Sequence, residues 1–504
     1  MFSSVKTIGL NGIDGYPINV ESTLLPGLSG IDIVGLPDIS VKESKERVTS
    51  AIKNIGHQFP YGKIILNLSP ANTKKEGAIF DLPIAISILV IMEIINPEDL
   101  KDYAFIGELS LDGTLNSIPG VLSMALCAKK CGIKNLIIPK ANQKEAGVVG
   151  DINIFVASNL TEIIDHFKTD KKLEKSFTDT ADLFSNYQKY DIDFSDVKGQ
   201  DAAKRALEIA AAGNHNVLLI GEPGSGKTML AGRLPTILPD LTFEESLEIT
   251  KIYSILGLLP KETQIIVKRP FRSPHHSTSG ISLVGGGKNP RPGEISLAHN
   301  GVLFLDELPE FNKNALEVMR QPLENRVITI NRVSGSCTYP ANFMFVASMN
   351  PCPCGYYGST THSCSCSPKQ VNDYINKISG PLLDRIDIHL NIPTVKYSEL
   401  NDKKSGESSI EIRKRVNKAR KIQLERFKND NIFSNSQLTS KLIQKHCRLD
   451  EECNLIMKNS FEKLNLSARA YSRVLKVART IADLENSENI KKFHLLEAIQ
   501  YRAT

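Results

Sequence analysis

At 504 residues the chain is about three domain lengths, and 41% hydrophobic with 23% charged residues is the composition of a folded globular protein, not a fibre, a mucin or a transporter. Its 61 Lys+Arg against 56 Asp+Glu leave a net +5, too little to announce a nucleic-acid binder. The charge is unevenly placed: residues 401–504 hold 22 basic and 13 acidic side chains, a tail of +9 on a body of −4.

The opening MFSSVKTIGLNG has no charged segment leading into an apolar core, so no secretory leader is expected. From residue 1 to 167, β-rich runs alternate with helical ones: Ile31–Pro37, Lys63–Pro70, the apolar Leu82–Ile95, Ala104–Leu115, the helix-like Val121–Gly132, then Asn135–Lys140. This pattern predicts a compact α/β or α+β domain. Leu82–Ile95 is too short to span a bilayer and contains Glu93, so it reads as a buried helix. Residues 168–190 are polar with weak periodicity, as a linker would be. Nine cysteines, an odd number without a disulfide-type framework, point to a reducing cytoplasm.

Past Val197 the signals sharpen. Gly199–Gly213 reads as a helix closed by Gly213, and an apolar strand, Val217–Ile220, follows. Directly after it, Gly221-Glu222-Pro223-Gly224-Ser225-Gly226-Lys227-Thr228 satisfies G-x-x-x-x-G-K-[ST]. Glycines let such a loop curl until successive backbone N–H groups point at phosphates. Lys227 is then expected to reach the β and γ phosphates of ATP and Thr228 to coordinate Mg²⁺. Some 80 residues on, Gly301–Leu305 is a hydrophobic strand ending in Asp306-Glu307. At a strand's C-terminal end Asp306 suits the Mg²⁺ shell, and Glu307 suits orienting and deprotonating the attacking water. A third strand, Phe343–Met349, ends in Asn350, which suits the γ-phosphate or the water, although an Asn before Pro is also a turn initiator.

These blocks resemble AAA+ ATPases of the magnesium-chelatase-like group, most of all its ComM branch, also called YifB-like. The resemblance runs through Asp196–Gly213, Gly221–Pro239, Pro270–Gly280, Gly285–Phe311, Tyr339–Gly358, Ser379–Leu390 and Leu466–Leu484. It implies an ATPase core over 191–395 with a parallel sheet, a helical lid over 396–504, and a cytoplasmic hexameric ring with ATP between subunits. It also implies action on single-stranded or branched DNA, as a branch-migration helicase serving recombination in natural transformation, with recombination proteins as further partners. Arg385 matches the arginine that reaches into a neighbouring subunit's site; alone, it would read as an ion pair with Asp384 or Asp387. Arg469 and Arg473, four apart on one predicted helix face, are the candidates for a lid arginine contacting nucleotide. The N-terminal block resembles the proteolytic domain of Lon proteases through Glu76–Ala85 and Gly107–Asn142. On that resemblance Ile79 and Leu122 stand where the Ser nucleophile and its Lys belong, so an interaction module without peptidase chemistry is expected.

Cys352-x-Cys354 and Cys364-x-Cys366 place four thiols within fifteen residues, a donor set for structural Zn²⁺, with His362 as an alternative ligand. Free thiols, disulfides or an iron–sulfur cluster remain open. Cys127, Cys131, Cys337, Cys447 and Cys453 read as buried or incidental. The tail's charge concentrates in Arg413, Lys414, Arg415, Lys418, Arg420, Lys421, Arg426 and Lys428, with Ile412, Val416, Ala419 and Phe427 at helical spacing. This segment reads either as a face that follows a phosphate backbone or as a solvated lid helix. Gly285-Gly286-Gly287-Lys288, near His275 and His276, reads as a flexible loop, pore-lining in a ring or an ordinary surface turn. A chelatase-type remodeller of a protein partner, acting without DNA, is the alternative function; an ATP-dependent protease is opposed by Ile79 and Leu122.

Overall fold

The computed structural model describes residues 2–178, 190–260, 265–287, 290–332, 335–395, 406–430, 432–464 and 466–502. The chain forms two compact units, one of residues 1–186 with 246–267, the other of 187–245 with 268–504.

In the first unit an eight-stranded mixed sheet is built from β1 Phe2–Asn11, β2 Asp14–Leu25, β3 Gly30–Val34, β4 Lys63–Ser69, β5 Tyr103–Phe105, β6 Asn135–Pro139, β7 Asn153–Ala157 and β8 Glu174–Ser176. Their order is β8-β7-β6-β5-β1-β2-β4-β3. Strands β1 and β2 pair antiparallel with Val5 opposite Val20, and β1 alternates exposed and buried positions, the period expected of a sheet with one covered face. The helices are α1 Ile39–Asn54, α2 Asp81–Ile91, α3 Val121–Lys130 and α4 Leu160–Lys168. Every residue of α2 is buried, which accounts for its lack of a polar face. Asp38 caps α1 by accepting from the Val41 N–H at 2.8 Å.

Two expectations are corrected here. Strand β8 lies inside the stretch read as linker, because pairing with β7 uses backbone groups and tolerates polar side chains. Residues 179–189 of that stretch lie outside the described residues. Residues 246–267, read as part of the ATPase core, group with the first unit.

The second unit opens with α5 Asp201–Gly213, β9 Val217–Gly221 and α6 Lys227–Arg233. Helix α7, Phe243–Ile255, then carries the chain into the first unit. After its return come β10 Phe271–Arg272, β11 Val302–Leu305, the hairpin β12 Val327–Arg332 and β13 Gly335–Pro340, β14 Met344–Met349, α8 Pro368–Ile375 and β15 Ile388–Ile392. A five-stranded sheet in the order β10-β11-β14-β9-β15 has every neighbouring pair parallel. Strands β11 and β14 are buried along their whole length, as in a sheet covered on both faces. The chain closes with α9 Ser409–Arg426, α10 Ser440–His446, α11 Glu451–Lys463, α12 Ala468–Leu484 and α13 Lys492–Gln500. These helices share one hydrophobic core with the sheet: Val217, Phe304 and Val346 belong to the same buried cluster as Val416, Ala478 and Leu495. The boundary expected at 396 falls outside the described residues. Among the described residues no helix is long and apolar enough to cross a membrane.

Candidate active site

Sheet register decides which side chains meet. Leu219 sits opposite Ser348 and Ile220 opposite Met349, while Leu305 sits opposite Ala347. One step further along these parallel strands, the glycine loop, Asp306 and Asn350 emerge together at the C-terminal ends, where open α/β sheets bind ligands. The loop turns through Gly224 at φ +75° and Gly226 at φ +88°, conformations that favour glycine.

Within this edge, Lys227 donates to the carbonyls of Gly221 at 2.7 Å and Glu222 at 2.8 Å and to Asn350 Oδ1 at 3.2 Å. Burial pulls the Lys227 ammonium below the usual lysine range, against the pull of Asp306, Glu307 and Glu222. The Thr228 hydroxyl donates to Asp306 Oδ2 at 2.8 Å, and Ser348 Oγ donates to Asp306 Oδ1. Glu307 takes a left-handed backbone, φ +53°, with its N–H on Asp306 Oδ1 at 3.1 Å and its carboxylate 3.5 Å from His276 Nδ1. A non-glycine residue held there costs about 1–3 kcal/mol, a strain seen where geometry serves a site. The set is an ammonium, a hydroxyl and two carboxylates beside a loop of small residues. Its chemistry fits a nucleoside triphosphate with Mg²⁺: Lys227 and the loop for phosphates, Thr228 and Asp306 for the cation.

Three participants go beyond the sequence expectations. Ser348 lies two residues before Asn350 and so shares its strand face, a signal present in the sequence. Gln200 supports the loop by donating to the Ser225 carbonyl at 2.7 Å. It precedes α5 at φ +57°, which nothing in the sequence announces. His276 has no role that its sequence neighbours define, and only the fold brings it to Glu307.

Arg385 stands elsewhere. Its carbonyl accepts from Asn216 Nδ2 at 2.8 Å, and Asn216 precedes β9 whereas the cradle follows it. At about 3.3 Å per residue, the strand separates the two by roughly 15 Å. Its guanidinium pairs with Glu324 and not with Asp384 or Asp387, and its Nε has no hydrogen-bond partner among the described residues. The lid arginines accompany it: Arg473 pairs with buried Asp387, and Arg469 lies 3.8 Å from Asp384. Arg385 and Arg473 line one cavity of about 450 Å³. Among the described residues neither lid arginine hydrogen-bonds to the cradle loop. Burial opposes ionisation of Asp387, but Arg473, His215 and Lys476 outweigh it and hold the carboxyl well below the carboxylate range.

The four predicted thiols do converge: their sulfurs lie within 4.8 Å of one another, a group that could hold a metal ion. Their closest approach, 3.3 Å, is far beyond the disulfide length of about 2.05 Å. His362 instead stacks on Tyr356 at 4.7 Å. Of the other cysteines, Cys127, Cys447 and Cys453 are buried and Cys131 is exposed.

Several cations of α9 are already partnered. Arg415 pairs with Glu208 and Glu407, Arg426 with Asp483, Lys414 with Glu411, Arg413 lies 3.9 Å from Asp240 and Arg420 donates to the Phe433 carbonyl, whereas Lys418, Lys421 and, just past the helix, Lys428 are exposed. Much of the charge read as a phosphate-following face is therefore spent inside the fold. Gly285–Gly286 is also more regular than expected, since it pairs antiparallel with Arg291–Pro292. A Cβ on Gly285 would meet the Arg291 carbonyl oxygen at 2.2 Å. Lys288 lies outside the described residues.

Three family models cover most of the chain: magnesium chelatase subunit ChlI over residues 193–400, subunit ChlI of Mg-chelatase over 20–142, and the ChlI C-terminal region over 406–502. The protein YifB of Escherichia coli strain K12 is 44% identical over 502 residues, spanning 99% of this chain and 97% of that protein. The chain belongs to the YifB/ComM branch of the magnesium-chelatase-like proteins. The competence protein ComM of Haemophilus influenzae is 43% identical over 496 residues, covering 98% of this chain and 96% of that one. A magnesium-chelatase 67 kDa subunit of Chlorobaculum parvum is 29% identical over 164 residues, 32% of this chain and 23% of that subunit. Membership implies an AAA+ core, which the parallel sheet fits, and it suggests an ATPase using ATP and Mg²⁺.

Proposed function

We propose that this protein is an Mg²⁺-dependent ATPase that assembles into a ring, as a hexamer, and turns hydrolysis into movement of single-stranded or branched DNA. The observation that carries the ATPase reading is the gathering of Lys227, Thr228, Asp306 and Asn350 at one sheet edge. Bound ATP with Mg²⁺ supplies the phosphoanhydride and the cation. Lys227 and the loop N–H groups hold phosphate oxygens, Thr228 and Asp306 hold the cation, Glu307 orients and deprotonates water, and Asn350 positions it.

The ring reading is supported by Arg385, which lies at the opposite strand ends from its own cradle; its guanidinium, now on Glu324 and the Pro381 carbonyl, leaves them to reach a second copy. Arg469 and Arg473 sit on that same side, so any nucleotide contact they make is with a neighbour's site. Branch migration in recombination during natural transformation follows the competence protein's name, with recombination proteins as partners. The N-terminal block serves docking or substrate guidance. Ile79 and Leu122 are buried hydrocarbons that neither attack a carbonyl nor accept a proton, so peptidase chemistry is not part of the reading. The four thiolates hold a structural Zn²⁺, and the protein works in the cytoplasm.

The pairing of the α9 arginines favours one alternative, a chelatase-type remodeller of a protein partner acting without DNA. The deciding experiment measures ATP hydrolysis with single-stranded or branched DNA at two salt concentrations, beside a casein digest. Stimulation that weakens with salt supports the DNA motor, because phosphate contacts release counterions. No stimulation at either salt overturns it and leaves the remodeller.

A further inference from the structure

Residues 351–367 form a long loop in which only Cys352 and Gly355 are buried. Such a segment has no hydrophobic core to order it, yet it touches three parts of the nucleotide site. It leaves β14 immediately after Asn350, whose Oδ1 accepts from Lys227 at 3.2 Å. At Gly355, φ +91°, the backbone lies against the cradle: a Cβ there would meet Pro223 Cγ and Cδ at 2.6 Å. At its far end Ser367 caps α8, accepting from the Gln370 N–H, and α8 carries buried Tyr374 back to the Asn350 backbone.

We propose that a divalent metal bound by Cys352, Cys354, Cys364 and Cys366 clamps this loop, so that metal occupancy sets the rate of ATP turnover by positioning Asn350 and Pro223. The inference rests on the ATPase reading above and adds a control point to it. The sulfur spacings suit one tetrahedral ion. Zn–S bonds of about 2.3 Å place sulfurs about 3.8 Å apart; Cys352 to Cys364 is 3.8 Å and Cys354 to Cys364 is 3.6 Å, while Cys352 to Cys354, at 3.3 Å, opens by about 0.5 Å around the ion. A multi-iron cluster, with sulfide between its irons, needs thiolates spread wider than the 4.8 Å limit met here. The ion draws Cys352, next to the catalytic strand end, against Cys364 and Cys366, next to α8. Without it the Tyr374–Asn350 hydrogen bond still ties α8 to the strand end, but the loop between them loses its cross-link and Gly355 is free to leave Pro223. Asn350 remains in the chain but loses its fixed position, while Lys227 and Thr228 stay on their own helix. Metal loss therefore acts on turnover more than on nucleotide binding.

The test starts with metal analysis of the purified full chain, expected to give one zinc per chain. Cys364→Ser and Cys366→Ser, remote in sequence from Asn350, are expected to lose the metal and about 10–100-fold in kcat, the range for residues that orient an active group. Fluorescent ATP-analogue affinity should stay within a few-fold. Should these variants fail to fold, zinc is stripped from folded wild type with a chelator under reducing conditions and then restored, with kcat expected to fall and recover. Metal-free protein with full kcat and unchanged melting temperature overturns the proposal, as does wild type purified without metal. If wild type neither binds nor hydrolyses ATP, the ATPase reading fails instead; the metal stoichiometry and its effect on melting temperature are read independently of it.

Discussion

Replacing Arg385 by alanine separates a shared active site from a self-contained one. Among the described residues the guanidinium, on a side chain 11% exposed, meets Glu324, 52% exposed, and the Pro381 carbonyl. Water can rehydrate the exposed Glu324, but the mostly buried Arg385 side chain is lost from its packing, so truncation should cost about 1–2 kcal/mol and lower the melting temperature by about 2–8 °C. An arginine delivered to a neighbour's transferring phosphate contributes far more, about 10³–10⁵ in kcat, equivalent to roughly 4–7 kcal/mol. Steady-state hydrolysis should therefore collapse, far beyond what that loss of stability explains, while ATP-analogue affinity stays near wild type. Mixing Arg385→Ala with Glu307→Gln sharpens the test, because each supplies what the other lacks. In a randomly mixed ring roughly one interface in four joins an intact Glu307 to an intact Arg385, and hydrolysis should recover toward that fraction. Full turnover by Arg385→Ala, or a mixture no more active than its components, would refute a site built across two copies.

Glu307→Gln alone should retain ATP binding and lose about 10²–10⁴ in single-turnover hydrolysis, since an amide cannot take the water's proton. Arg473→Ala should cost about 3–5 kcal/mol in urea unfolding at pH 7, because it leaves Asp387 charged, buried and short of its main partner. Asp387 has a depressed folded-state pKa, so its contribution is present above the unfolded value of about 3.9 and is lost as pH falls below it; Asp387→Asn should flatten the acid limb of the stability profile. On α9, Lys418→Ala with Lys421→Ala should weaken single-stranded DNA binding and shallow the slope of its salt dependence by about 0.7 for each phosphate no longer neutralised. Arg426→Ala should destabilise the fold instead, since it takes one of two arginines from buried Asp483 and leaves it Arg479 and the Asn435 amide.

Legibility differed by feature. The glycine loop, the Asp306-Glu307 pair and Asn350 were readable because each is a short string at the end of an apolar strand, and parallel strands of matched register must bring such ends together. The buried helix Asp81–Ile91 was readable from hydrophobicity alone. The membership of 246–267 in the first unit was not, because a contiguous reading has no signal for a segment that leaves and returns. Nor was the fate of the α9 charge: the helical stripe was correct, but sequence does not say which arginines find carboxylates from α5 or α12.

What the sequence by itself determined is the local pattern: a glycine loop ending in Lys227-Thr228, two acids at the end of an apolar strand, four closely spaced thiols, and the family that carries them. Those features depend on neighbours along the chain, where bond geometry and hydrophobic period suffice. Tertiary structure alone decided which groups face one another across the fold: Glu307 held beside His276, Arg385 on the side away from its own cradle, Arg473 spent on Asp387, and the thiol loop pressed against Pro223. The physical reason is that these pairings are set by strand order and core packing, which bring together residues tens to hundreds of positions apart.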